Sequence, residues 1–205
     1  MINLYLQMIS KAALSLLKVL VGSDEVKEAF GSAGGLSSVL AVLSDRANDA
    51  GVCEAALGLL AMVCLRRPDY AQHLLALRES APASASASGG PPAVQTRFEQ
   101  AAGDADPRES PLVQLVLRAL TTHRDAVGVQ RQAAFLVRNA VSRSPQLRAP
   151  FLEAGVEPLL TRLSHLPNED VADPARAALR DLGLLQITGE CPVSQGLPTL
   201  AGVHK

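Results

Sequence analysis

A stretch of seventeen residues at 52–68, VCEAALGLLAMVCLRRP, returns at 129–145 as VQRQAAFLVRNAVSRSP. Both copies open on Val, place Ala fifth (Ala56, Ala133), carry apolar residues eighth and ninth (Leu59, Leu60; Leu136, Val137) and close on Pro. Upstream, at an offset of 43, Ala13, Leu16, Leu17 and Leu20 align with Ala56, Leu59, Leu60 and Val63. Downstream, at an offset of 42, Ala175, Ala178, Leu179 and Leu182 align with Ala133, Leu136, Val137 and Ala140. The apolar spacing within each copy is close to 3.6 residues, which is an amphipathic helix. A helix that returns every ~40 residues buries its apolar face by stacking on its own copies, and the product is an α-solenoid.

A period of ~40 residues fits the armadillo and HEAT classes. The three-helix armadillo unit is a workable frame and predicts an all-α, right-handed α-solenoid of about three units plus a partial one at the N-terminus. Residues 1–79 hold the partial unit (a third helix at 3–21), one complete unit and the first helix of the next. In the complete unit the helices fall at 24–33, 36–43 and 52–66; Ser23 caps the first and Gly34-Gly35 stops it. Residues 80–110 contain APASASASGGPPA, are poor in large apolar side chains, and are expected to be a disordered, dispensable insertion. The solenoid resumes at 111–184, with helices at 112–122, 127–143, 146–154 and 156–165. A final helix runs from about 173 to 182, with Asp173 as N-cap and Pro174 in the first turn. Residues 185–205 are expected to be a flexible tail.

Composition narrows the function. The 205 residues are 48 % hydrophobic and 3 % aromatic, with no Trp and a net charge of −1. Such a charge gives no global drive toward nucleic acid or an anionic membrane surface. Cys53 and Cys64 fall on one predicted helix, ~16 Å apart along its axis, beyond the ~4.4–6.8 Å of a disulfide. Cys191 is isolated, so a reducing compartment is expected, the cytoplasm with the nucleus as a second location. The apolar N-terminus lacks the basic start of a signal peptide, is interrupted by Lys11 and Lys18, and is explained by its register with the later repeats.

Function in a solenoid resides in its exposed columns. One reads Lys18, Ala61, Arg138, Arg180; the next Val19, Met62, Asn139, Asp181; a third Ser15, Gly58, Phe135, Ala177. The first is a column of cations spaced by one solenoid step, suited to an acidic segment or helix of a partner. The competing account is that these cations are merely solvated, with Asp181 and nearby acids neutralising them. Armadillo proteins that grip extended peptides repeat a Trp and an Asn four residues apart on this helix, the Asn bonding the peptide backbone. Only Phe135 and Asn139 echo that pair, so a multi-site peptide clamp is not expected. Lys18, Phe135, Arg138, Asn139 and Arg180 are the candidate partner-binding residues.

Catalytic chemistry finds no footing. His123 and His165 are repeat-equivalent, Arg46 takes the matching place one unit earlier, and all three fall where a cation complements a helix C-terminus. HExxH, paired CxxC, P-loop and GxSxG patterns do not occur. No catalytic residue, metal site or cofactor is expected, and neither Cys53 nor Cys64 has a histidine placed beside it.

Five segments, DEVKEAFGSAGG (24–35), VCEAALGLLAMVCLRRPD (52–69), VQRQAAFLVRNAV (129–141), FLEAGVEPLL (151–160) and ARAALRDLG (175–183), resemble the C-terminal repeats of the armadillo repeat-containing protein 6 family. CLRRPD followed by AALRDLG carries most of the specificity. The resemblance implies an intracellular scaffold with no catalytic or cofactor residue to carry over. A non-enzymatic scaffold binding a protein on the concave face is the expected function, without nucleic acid or membrane. The alternatives are a structural C-terminal fragment of a longer armadillo protein and a co-chaperone-like module embracing a chaperone. The apolar face of the first helix is expected to promote self-association.

Overall fold

The computed structural model describes residues 2–79, 98–100 and 110–185. Its elements run α1 (Ile2–Leu20), α2 (Asp24–Ser32), α3 (Gly35–Asp45), α4 (Ala50–Cys64), α5 (Pro68–Ala76), β1 (Leu77–Glu79), β2 (Phe98–Gln100), α6 (Pro111–Thr122), α7 (Val127–Val141), a 3-10 turn (Pro145–Leu147), α8 (Arg148–Glu153), α9 (Val156–Ser164) and α10 (Glu169–Leu182). The all-α solenoid expected from the repeat is the architecture found. Helices α1, α4, α7 and α10 pack side by side as rungs of a ladder, and α3, α6 and α9 form a second layer against α4, α7 and α10.

Local chemistry sets the helix ends. Ser23 Oγ accepts from Val26 N (3.3 Å) to open α2, where Asp24 and Glu25 sit favourably in the first turn. Asp49 Oδ1 accepts from Gly51 N (2.9 Å) and Val52 N (3.1 Å) to open α4. The junctions before α3 and α9 need a left-handed residue, and Gly34 (φ 73°) and Gly155 (φ 84°) supply it without a Cβ penalty. Arg46, His123 and His165 terminate α3, α6 and α9, in keeping with their repeat equivalence.

The columns close as the register requires. Ala56, Ala133 and Ala175 are fully buried, as are Leu59, Leu136 and Ala178. Their equivalents on α1 behave differently: Ala13 is exposed and Leu16 is 62 % exposed. These columns therefore face the preceding rung, and α1 has none before it among the described residues. Ala133→Leu is expected to overpack the rung contact and cost about 1–3 kcal/mol. Ala13→Leu, the same exchange at the open end, should change stability by less than about 0.5 kcal/mol. Thermal unfolding of the pair reads the register: equal melting temperatures would show that the Ala column is misplaced.

Two expectations need correction. Residues 80–110 do not lie wholly outside the fold. β2 pairs antiparallel with β1, Leu77 opposite Gln100 and Glu79 opposite Phe98, and the Phe98 ring is only 2 % exposed within the core. A single large aromatic buries enough surface to hold a short strand that composition alone would leave loose. Residues 80–97, 101–109 and the tail beyond 185 lie outside the described residues. The second correction concerns α10, which starts at Glu169 rather than near Asp173. Asn168 Oδ1 accepts from Asp170 N (3.0 Å) as the N-cap, and Pro174 sits inside the helix. Its missing N–H breaks the ladder to Asp170, and the proline ring is buried against the neighbouring elements, which offsets the lost bond.

Candidate functional site

The exposed face of the ladder is formed by side chains that the core columns leave over. The rungs carry small residues at Gly58, Ala61 and Ala177, so shallow grooves open between them. One groove, of about 280 Å³, lies across α1, α4 and α7 and is bordered by Lys18, Gly58, Met62, Gln132, Phe135 and Asn139 among others. A second, of about 480 Å³, lies between α7 and α10 with Arg138, Pro174, Ala177 and Arg180 in its walls. A third, of about 400 Å³, opens toward the start of α10, lined by Arg131, Glu169, Asp170 and Asp173. Phe135 borders all three, and Arg138 borders the first two. The structure thus brings the five candidate residues onto one face: Lys18, Phe135, Arg138 and Asn139 in the first groove, Phe135, Arg138 and Arg180 in the second.

Charge on this face is arranged rather than scattered. Asp181 takes both arginines of the column, with Oδ2 3.8 Å from Arg138 Nε and Oδ1 accepting from Arg180 Nε at 3.1 Å. All three side chains are partly solvated, so these contacts are weak in water. Arg176 bonds Asp173 and Glu169, both of which hold its guanidinium protonated above its ordinary value, Asp173 more strongly. Glu54 pairs with Arg131 at 3.7 Å. The face is consequently acidic near the start of α10 and basic along the Lys18–Arg138–Arg180 line.

Asn139 does not hold its amide free for a partner's backbone. Its Nδ2 donates to Ala61 O on α4 at 2.8 Å. The last turn of α4 is frayed there, since Leu65 N turns to Met62 O, and Asn139 supplies the donor that the helix end lacks. Gln132 is a groove residue that the column reading does not single out. It is 8 % exposed, borders two grooves, and stands in a column whose other members are Ala12, Ala55 and Pro174. One amide among three apolar equivalents is the signal that could have found it.

Neither described cysteine offers a nucleophile. Burial pushes the Cys53 thiol up to about 11 and Cys64 to about 12. Both therefore stay protonated near neutrality. Among the described residues no three His, Cys, Asp or Glu side chains gather as metal ligands.

Two relatives set this geometry in context. Proteins named armadillo repeat-containing protein 6, from Pongo abelii and from Homo sapiens, are each 36 % identical over 63 residues, which is 31 % of this chain. The chain is similar there to armadillo repeat-containing protein 6. The matched stretch spans 13 % of each relative's length. No family model and no solved structure matches the chain. The armadillo likeness agrees with the ladder of third helices and supports a helical-repeat module of the protein-interaction kind. No helix among the described residues is long and apolar enough to cross a membrane.

Proposed function

We propose that the chain is a non-enzymatic scaffold whose third-helix face is the concave surface of the armadillo stack and receives an acidic segment or helix of a partner protein. The observation that carries this reading is the meeting of grooves at Phe135 and Arg138, where an apolar ring lies beside the basic line. Against Lys18, Arg138 and Arg180 stands the single carboxylate of Asp181, so positive charge is in excess on that line. A partner's carboxylates would compete with Asp181 for the two arginines. The acidic start of α10 would orient the partner by repulsion. Function in the cytoplasm or nucleus belongs to the same reading.

Affinity capture from native cytosol with the full chain and with the Arg138→Glu, Arg180→Glu double variant as baits tests it. Both side chains lie outside the core, so the fold should survive. The expected result is a partner held by the wild type, released progressively by salt because exposed charges are screened over ~8–10 Å, and lost by the double variant. A partner bound equally by both baits would overturn the concave-face reading.

The exposed face of α1 favours self-association as well. Met8, Ile9 and Val19 are 62 %, 64 % and 76 % exposed, beside Tyr5 and Leu16. A contiguous apolar face of this kind marks an interface or an aggregation site. Sedimentation on the order of tens of micromolar protein should show dimers or larger species, and Ile9→Glu with Val19→Glu should restore the monomer. A wild-type monomer at that concentration would contradict the expectation.

A further inference from the structure

The outward face of α1 has the spacing of a helix-pairing seam. Tyr5, Ile9, Ala12, Leu16 and Val19 follow one another at alternating steps of four and three residues, and all five are exposed. That alternation is the apolar seam of a two-helix coiled coil, with Ile9 and Leu16 at its a positions and Ala12 and Val19 at its d positions. The positions that flank the seam, Met8, Ala13, Ser15 and Leu20, are uncharged. Lys11 and Lys18 lean away from it toward α4, over Gly51 and Gly58. Leu14 and Val21 are buried and tie the opposite side of α1 to the fold. In the next rung the same columns, Val52, Ala55 and Leu59, are buried where α4 meets α1. The face is shaped to take another helix of the same kind.

We infer that α1 pairs antiparallel with α1 of a second copy of this chain, about a two-fold axis level with Leu14. The inference rests on the self-association reading and names its partner and register. In this register Ile9 lies against Val19 of the second copy and Ala12 against Leu16 of the second copy, and the axis repeats both pairs. Each layer sets a larger side chain against a smaller one, and Ala12 leaves the room at the centre that Leu16 fills. Antiparallel alignment also places the two helix dipoles favourably. The other end of the ladder does not suit this face. α10 exposes Asp173 and Arg180, and pressing them onto Ile9 and Leu16 would bury charge against apolar surface. Head-to-tail stacking is disfavoured on that ground, and the pair closes on itself. Two helices of this length bury roughly 1,000 Å² in total, below a standard interface, so the dimer is weak, with a dissociation constant on the order of 10 µM.

Sedimentation equilibrium of the full chain from about 1 to 300 µM reads the stoichiometry. The expected mass climbs from the monomer and levels at the dimer. Ala12→Glu and Leu16→Glu should each raise the dissociation constant by about a hundredfold or more, because each would press a charge into the seam. Lys11→Glu, off the seam, should leave it within about twofold. Circular dichroism checks that the variants fold. Cross-linking in a Cys191→Ser background reads the register. Under mild oxidation, Ile9→Cys mixed with Val19→Cys should give a disulfide-linked pair. Neither variant alone should link, because its like positions stand ~15 Å apart along the helix axis. Monomer throughout, or a dimer that survives both Ala12→Glu and Leu16→Glu, would overturn this inference and the self-association reading together. A mass that rises past the dimer, linkage of Ile9→Cys to itself, or no mixed link would overturn the antiparallel pair alone.

Discussion

Phe98→Ala should cost about 3–5 kcal/mol and lower the melting temperature by on the order of ten degrees. The ring comes from a segment dominated by Ala, Ser, Pro and Gly, yet it is as buried as the leucines of the rungs. β2 holds it there by pairing with β1, and that strand pair leans on α3 and α6. Truncation removes the aromatic surface and leaves a cavity that two short strands cannot close. The companion variant replaces residues 80–97 by a short Gly/Ser loop and retains 98–100. It should melt within a few degrees of the wild type, because loop length enters stability only logarithmically. If Phe98→Ala melts unchanged, the strand does not pack on the solenoid.

Gln130→Leu should be the other large loss, at about 2–4 kcal/mol. Gln130 is 1 % exposed. Its Nε2 donates to Leu120 O (3.1 Å) and His123 O (2.7 Å), the carbonyls at the end of α6, while Oε1 accepts from Arg162 Nη2 on α9 (3.1 Å). One amide thus caps a helix and ties it to the next unit. Leu keeps the volume, so the measured loss reports the hydrogen bonds. The preceding unit makes the same cap more weakly at the equivalent position, where Cys53 Sγ lies 3.6 Å from Arg46 O and 3.4 Å from Ala47 O. The raised thiol pKa keeps that proton in place as a donor. Denaturant titration of Gln130→Leu beside Cys53→Ala should give the larger loss for Gln130. The reverse order would contradict this assignment.

The ladder is legible in the sequence because stacking forces the same residue type into the same column. Ala56, Ala133 and Ala175, then Leu59, Leu136 and Ala178, align on repeat spacing alone, and the second-helix ends follow from Arg46, His123 and His165. The face is legible for a related reason: once core columns are assigned, Lys18, Phe135, Arg138, Asn139 and Arg180 are what remains outside them. Non-local pairing is not legible. Nothing in the sequence around Phe98 distinguishes a strand from a linker, since its partner strand lies beyond the whole 80–97 segment and its burial depends on α3. The start of α10 offers two competing signals, Asp173-Pro174 and Asn168-Glu169-Asp170, and packing chooses the second. The direction of a single amide is beyond reach too. Asn139 turns inward because α4 ends raggedly, and Gln132 turns into the groove because Gly58 leaves room.

The central claim is that a partner occupies the ladder face beside Phe135. The direct measurement places p-benzoylphenylalanine at Phe135, or at the exposed Thr121 on the second-helix layer, and irradiates the full chain with its captured partner. The account predicts a covalent adduct from position 135, mapping to an acidic stretch of the partner, and none from position 121. An adduct from position 121 with none from position 135 would contradict it.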